Sequence, residues 1–233
     1  MKVVLLGGGR GSRMGLETEI LPKPMVTIGG IPILQHIMNY YAKFGYKDFI
    51  ILGGYRVEVI EQYFSTMMIP EGWKVDVVDT GLDTPTGGRL LQAEHKLIQP
   101  FMLTYGDGLS NVNLAAIEKN YPRQNEIGII TAVHPPGRFG TLSFDDHSNY
   151  ISRFDEKQRL ENQWINGGFM AFNHGLFNYI EEGEMLEFDV FPRLAEDRKI
   201  TANFHSGFWQ CMDTPRDRQY LEELWKLKRC YWR

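Results

Sequence analysis

Residues 5–14 read Leu-Leu-Gly-Gly-Gly-Arg-Gly-Ser-Arg-Met, and five of these ten are Gly or Ser while two are Arg. Glycine lets the backbone approach a ligand closely, and consecutive exposed amides form a concavity for anions. Arginine adds a planar fork that matches phosphate oxygens. The loop therefore points to a bound phosphate. Two better-known phosphate loops do not fit. GxxxxGK[ST] is absent because no lysine follows Gly11, and GxGxxG fits only as Gly7-x-Gly9-x-x-Ser12, with serine in the last place. A second cation, Lys23, stands between Pro22 and Pro24, which fix the backbone on both sides. Read alone it is equally a surface lysine in a proline turn; beside the glycine loop it is a placed charge.

Two carboxylates follow apolar runs. Asp107 lies between glycines in Thr-Tyr-Gly-Asp-Gly, residues 104–108, and Asp213 lies in Cys-Met-Asp-Thr-Pro, residues 211–215. A carboxylate just past a parallel strand is well placed to hold Mg²⁺ on a triphosphate. Asp213 also fits as the N-cap of the helix that follows. A second small-residue loop, Thr-Gly-Leu-Asp-Thr-Pro-Thr-Gly-Gly-Arg-Leu at 80–90, could meet a base with its backbone and a phosphate with Arg89. Lys157 and Asn166 suit a phosphate and sugar hydroxyls. His134 and Arg138 have no evident partner in the sequence and read as structural.

The elements that would carry these residues alternate strand and helix. Lys-Val-Val-Leu-Leu is a buried strand; residues 31–45 form a helix with Pro32 in its first turn and one apolar face of Ile33, Leu34, Ile37, Met38 and Tyr41. Asp48–Leu52, Trp73–Thr80 and Phe101–Gly108 are strands, with helices over 55–64 and 88–97. This βαβαβαβ run predicts a parallel sheet wrapped by helices. After residue 125 short strands follow at 127–134, 140–145 and 150–157, then 165–173, helices near 174–181 and 187–198, a strand at 200–205 and a closing helix from Thr214. The expected fold is α/β, a doubly wound, mostly parallel Rossmann-like sheet with an antiparallel addition. One domain spans 1–233, with a nucleotide-binding half over 1–124 and an acceptor-binding half over 125–233.

Composition removes several classes of function. With 25 Lys and Arg against 29 Asp and Glu, the net charge of −4 argues against a general nucleic-acid binder. The two cysteines form no CxxC and have no histidine at metal spacing, so a disulfide framework is not expected and a reducing compartment fits. No apolar run nears the roughly 18 residues of a membrane span, so a cytoplasmic protein without membrane contact is expected.

Taken in order, these stretches resemble the sugar-phosphate nucleotidyltransferases, whose pattern is roughly GGxG[ST]R[LM], PKPM, GD, EK, NGG and a tryptophan segment with a late Asp-Thr. Every piece is present here, across nearly the whole chain. Within that family the likeness is greatest to the glucose-1-phosphate cytidylyltransferases. It rests on Lys-Pro-Met-Val-Thr-Ile-Gly-Gly-Ile-Pro-Ile-Leu, Thr-Gly-Gly-Arg-Leu, Thr-Tyr-Gly-Asp-Gly, Pro-Pro-Gly-Arg-Phe-Gly, Ile-Asn-Gly-Gly-Phe and Gly-Phe-Trp-Gln-Cys-Met-Asp-Thr-Pro-Arg-Asp. Gly7 and Arg10 depart from the family's usual Ala and small or apolar residue, and the segment 64–79 is shorter than in those relatives.

The resemblance implies a set of roles. Leu6, Gly8, Gly9, Gly11, Ser12, Arg13, Lys23, Thr86, Gly88 and Arg89 would hold the nucleotide, with Arg13 and Lys23 acting in catalysis. Asp107 and Asp213 would hold Mg²⁺, or Mn²⁺ in its place. Tyr105, Glu156, Lys157, Asn166 and Gly167 would receive the acceptor. It implies CTP and a phosphorylated small molecule as substrates, glucose 1-phosphate first, for capsule or lipopolysaccharide sugars, and a homo-oligomer. No general base is required, because a phosphate monoester loses its second proton near a pKa of ~6. The alternatives are a cytidylyltransferase for a non-sugar phosphate, a uridylyl or thymidylyl sugar-phosphate transferase, a glycosyltransferase using a sugar nucleotide as donor, which has less use for Lys23 and Lys157, and a nucleotide-sugar sensor without turnover.

Overall fold

The apolar run that opens the chain becomes an inner strand because both of its faces are covered. Val3 and Leu5 pack on one side of the sheet and Val4 and Leu6 on the other, each among fully or nearly fully buried neighbours. The structure, a computed structural model, describes residues 1–15, 17–121, 125–137, 140–145, 149–155 and 163–233. In chain order these form β1 (Lys2–Leu6), a 3₁₀ turn Ser12–Met14, α1 (Glu17–Ile20), a 3₁₀ turn Lys23–Met25, β2 (Thr27–Ile28), β3 (Ile31–Pro32), α2 (Ile33–Lys43), β4 (Asp48–Gly53), α3 (Val57–Thr66) and β5 (Lys74–Asp79). Next come α4 (Thr86–Ala93), β6 (Phe101–Tyr105), β7 (Gly108–Ser110), α5 (Leu114–Asn120), β8 (Gly128–Val133), β9 (Thr141–Phe144), β10 (Ile151–Asp155) and β11 (Ile165–Phe172). A 3₁₀ segment His174–Tyr179, a π-turn Leu186–Val190, α6 (Phe191–Glu196), β12 (Ile200–His205), β13 (Trp209–Cys211) and α7 (Pro215–Lys226) complete the described fold.

The main sheet has seven strands in the order β12-β8-β11-β6-β1-β4-β5. β6, β1, β4 and β5 are parallel, and β12 is parallel to β8. Only β11 runs against its neighbours, pairing antiparallel with both β6 and β8. The expected antiparallel addition takes the form of this reversed strand within the shared sheet together with separate antiparallel ladders. β9 and β10 form a separate antiparallel ladder, as do β13 and β7. Because β1, β4, β5 and β6 point the same way, their loops share one rim, where open α/β sheets bind ligands.

Helix α2 buries the apolar face expected of it: Ile33, Leu34, Ile37, Met38 and Tyr41 are all buried. Helix α7 begins with a capping box in which Thr214 accepts from the Asp217 amide and Asp217 accepts from the Thr214 amide. The cap is therefore Thr214, which leaves the Asp213 carboxylate for another partner. Two helices expected in the later half differ. Residues 174–179 are 3₁₀, and the stretch read as a helix over 187–198 opens as a π-turn. Cys211 and Cys230 are free thiols, and burial, with Asp213 and Asp107 nearby, pushes Cys211 up to about 12. Among the described residues, no helix is long and apolar enough to cross a membrane.

Candidate active site

The glycine loop leaves β1 at the common rim and is held there by its backbone. The Gly7 amide donates to Leu52 O at 3.0 Å, and Gly8 O accepts from the Tyr55 amide at 3.1 Å. Gly8 has no room for a side chain, since a Cβ there would lie 2.2 Å from Arg89 Cζ. Gly11 takes φ +63°, and a Cβ would meet Lys23 Cβ at 2.8 Å. Gly9 faces open space. The loop is closed against the protein at two points and open between them.

Lys23 is fixed by the proline turn and is buried, and its ammonium reaches the base of the same opening. Nζ donates to Asp107 Oδ2 at 2.6 Å and to Asp213 Oδ1 at 2.5 Å. Arg13 Nη1 stands 3.2 Å from the other oxygen, Asp213 Oδ2. Burial works to lower the Lys23 pKa, but Asp107 and then Asp213 outweigh it, so the ammonium is held above its ordinary value. Asp107 and Asp213 meet because β13 pairs with β7 and the Met212 amide donates to Asp107 O at 2.9 Å. Residues 84 and 190 positions from Lys23 in sequence are thus brought to one atom.

Arg89, read from the sequence as a contact for base and phosphate, is also engaged by the loops around it. It is buried, and its guanidinium donates to Gly53 O, Thr80 Oγ1 and Gly81 O at 2.8, 2.5 and 2.8 Å, and to Gly8 O and Leu82 O at 3.2 Å. The fork ties three loops together at the rim. Arg10 spans the mouth to Asp83 at 3.1 Å, an exposed pair of small energetic weight.

The cleft so formed has a volume of about 490 Å³, within the range of small-molecule sites. Leu6, Gly8, Gly9, Gly11, Arg13, Lys23, Thr86, Arg89, Tyr105 and Asp107 all line it. Ser12 instead lines a shallower neighbouring hollow with Arg10, and Gly88 lines a pocket behind residues 83–85. At the start of β11 Asn166 Nδ2 donates to the Tyr105 hydroxyl at 3.2 Å, and Gly167 O accepts from Trp209 Nε1 at 2.7 Å. Glu156, Lys157 and Arg138 lie outside the described residues. His134 has a partner after all: its Nδ1 is 2.9 Å from Gln163 O and its ring packs on Trp164.

Sequence reading missed Glu187. From the π-turn its carboxylate accepts from Tyr105 OH at 2.6 Å and from Thr86 Oγ1 at 2.7 Å. Burial first, and then this carboxylate, hold the Tyr105 hydroxyl well above its ordinary pKa, so it remains a donor. An acid in an apolar stretch is a weak signal, and the π-turn that aims it breaks the helical period that would have drawn attention to it.

A metal can be tested against this donor set. Two half-buried carboxylates already converge on a cation, and Mg²⁺ is commonly held by one or two carboxylates together with phosphates and water. Among the described residues no cluster of three or more His, Cys, Asp or Glu could hold a metal unaided. The pair fits an ion that arrives with a polyphosphate and fits poorly an ion bound by protein alone.

A doubly wound sheet whose rim gathers a glycine loop, an arginine, a buried lysine and two carboxylates defines a nucleotide-binding enzyme that acts on phosphates. The comparisons narrow the class. Residues 2–229 match the nucleotidyl transferase family, and the chain belongs to that family. It is a nucleotidyltransferase. The glucose-1-phosphate cytidylyltransferase of Salmonella typhimurium (strain LT2) is 39% identical, over 100% of this chain and 99% of that protein. The probable glucose-1-phosphate cytidylyltransferase of Bacillus subtilis (strain 168) is 34% identical over the same shares. Among solved structures, HddC from Yersinia pseudotuberculosis complexed with GMP-PN has a TM-score of 0.72 at 24% identity, over 96% of this chain and 99% of that one. A UDP-glucose pyrophosphorylase complexed with UDP-glucose has a TM-score of 0.74 at 16% identity, over 97% and 98%. These two likenesses establish the fold.

Proposed function

We propose that the protein transfers CMP from CTP to glucose 1-phosphate and releases pyrophosphate. The observation that carries this reading is the ion-pair cluster of Lys23, Arg13, Asp107 and Asp213, of which Lys23, Arg13 and Asp107 line the glycine-walled cleft and Asp213 stands behind them. The full-length likeness to glucose-1-phosphate cytidylyltransferases supports the choice of base and acceptor. An acceptor phosphate oxygen forms a bond to the α-phosphorus of CTP. The bond from that phosphorus to the bridging oxygen breaks, and pyrophosphate leaves with the electron pair. The nucleophile is already an anion, so the protein's task is to bring two anions into line. Positioning of this kind can contribute about 7–11 kcal/mol.

The chain's own groups divide that task. The amides of residues 8, 9 and 11 face the triphosphate, and Arg13 and Lys23 neutralise it. Leu6, Thr86 and Gly88 shape the nucleoside side, and Arg89 acts by holding the loops around it. Tyr105, Asn166 and Gly167 form the acceptor side, with Glu156 and Lys157 assigned there by their match to the family pattern. Asp107 and Asp213 would hold Mg²⁺, or Mn²⁺, which when bound supplies further positive charge against the triphosphate.

The reaction belongs in the cytoplasm, where CTP is made. A homo-oligomer accords with the exposed apolar face of the β9–β10 ladder, where Leu142, Phe144, Ile151 and Phe154 stand open; sedimentation would test it. The substrate assignment is tested by pyrophosphate release with each nucleoside triphosphate at fixed glucose 1-phosphate, then each sugar phosphate at fixed CTP. Preference for UTP, dTTP or GTP would overturn the base. Turnover with CTP on a different phosphate alone would move the acceptor.

A further inference from the structure

Asp107 and Asp213 cannot move apart, because the β7–β13 ladder and the Met212 amide lace their loops together. Two carboxylates so close in a half-buried site repel unless a cation lies between them. The structure supplies that cation from within: Lys23 Nζ touches both carboxylates, and Arg13 touches the remaining oxygen of Asp213. The Lys23 backbone is fixed in its 3₁₀ turn, but the ammonium rides on a flexible four-carbon stem. The ammonium therefore has a second position within reach, over the cleft that its own stem lines.

We propose that Lys23 is a stand-in cation: it neutralises Asp107 and Asp213 while the cleft is empty, and its move from the carboxylates to a phosphate couples metal binding to nucleotide binding. The proposal rests on the reading that these two carboxylates hold the metal. Its logic is an exchange of partners. A divalent ion arriving alone must displace an ammonium that has no other anion to meet. A triphosphate arriving alone draws the ammonium away and leaves the carboxylates facing each other. When both arrive, every charge has a partner. Each ligand then raises the affinity for the other by the same factor. Arg13, whose side chain is 70% exposed and touches one carboxylate only, contributes a smaller share of the same effect.

The test is Mn²⁺ binding without nucleotide, followed by the loss of the free-ion EPR signal. Wild type should bind Mn²⁺ weakly. Lys23→Met should bind it at least tenfold more tightly while binding CTP less tightly in calorimetry. Arg13→Ala should shift Mn²⁺ affinity in the same direction by a smaller factor, and its exposed position keeps the test alive should Lys23→Met not fold. A lysine that served the fold alone would leave Mn²⁺ affinity unchanged or lower it when removed. Equilibrium dialysis of Mn²⁺ with CTP, with and without Asp107→Asn, checks the underlying metal reading. Should Asp107→Asn abolish protein-bound Mn²⁺ in the presence of CTP, while neither cation variant tightens Mn²⁺ in its absence, the stand-in role is overturned and the metal site stands. Retention of that Mn²⁺ by Asp107→Asn would overturn both.

Discussion

The two sides of the cleft are built by different means. On the nucleotide side the backbone does most of the shaping: the glycine loop, the end of β4 and residues 80–82 are joined through Arg89, which donates to five acceptors. On the proposed acceptor side a few side chains set the surface. Tyr105, Asn166 and Glu187 form a short chain of hydrogen bonds beside β11, and the β9–β10 ladder beyond carries exposed apolar residues. The contrast suits the proposed ligands. A triphosphate offers the same anionic groups whatever its base, and backbone amides can meet them. A phosphorylated acceptor varies in its body, and side chains can change without disturbing the loops.

The largest test of this contrast falls where the two sides meet. Asp107→Asn keeps the shape but removes a charge, and kcat should fall by about 100-fold or more with the far-ultraviolet spectrum unchanged. A variant that retains over a tenth of wild-type kcat at saturating Mg²⁺ would break the assignment.

The next pair asks whether the sides are separable. Lys23→Ala should lower kcat/KM for CTP by about 100-fold. Lys157→Ala should raise the acceptor KM by about tenfold while the calorimetric Kd for CTP stays near wild type, as expected for a group that touches one substrate only. Equal loss of CTP affinity in both variants would erase the division.

Gly8→Ala probes the backbone side alone. The added Cβ would strike the Arg89 guanidinium at 2.2 Å from Cζ. Overpacking of this kind costs about 1–3 kcal/mol, and in a chain of this size Tm falls by about 2–4 °C for each of these. Calorimetric melting should report that loss together with weaker CTP binding; a variant as stable as wild type would show that the loops are not held through Arg89.

Glu187→Gln is the mildest test and the one that joins the two sides. The amide keeps the shape but replaces one acceptor with a donor facing Thr86 or Tyr105. Losing one such bond costs about 0.5–3 kcal/mol. KM should rise several-fold for CTP and acceptor together; a rise for one alone would place Glu187 on that side.

Much of this architecture was legible in the chain. The apolar runs of β1, β4 and β6 and the face of α2 obey simple periodicity, and the glycine loop, Lys23 and Asp107 stand out because each combines charge with a constrained backbone. What was not legible depends on distance in space. Nothing local tells that Arg89 also ties the rim together through five acceptors, because the carbonyls it meets come from three separate loops. In sequence Asp213 fits a helix cap as well as a ligand, and only the folded chain shows Thr214 in that place. The single reversal of β11 is a property of the assembled sheet, and strand patterns carry no direction.

That reversed strand has a consequence for how the protein is made. β6 is paired with β1 on one side, and on the other its partner is β11, which the ribosome delivers some sixty residues later in the chain. At about 5–20 residues per second, β6 waits several seconds with an open strand edge, the kind of edge that invites pairing with another chain. A nascent chain stalled between residues 105 and 165 should therefore be held by chaperones or aggregate, while one released past Phe172 should cover the β6 edge with β11, and only synthesis beyond Asp213 can assemble the cluster around Lys23.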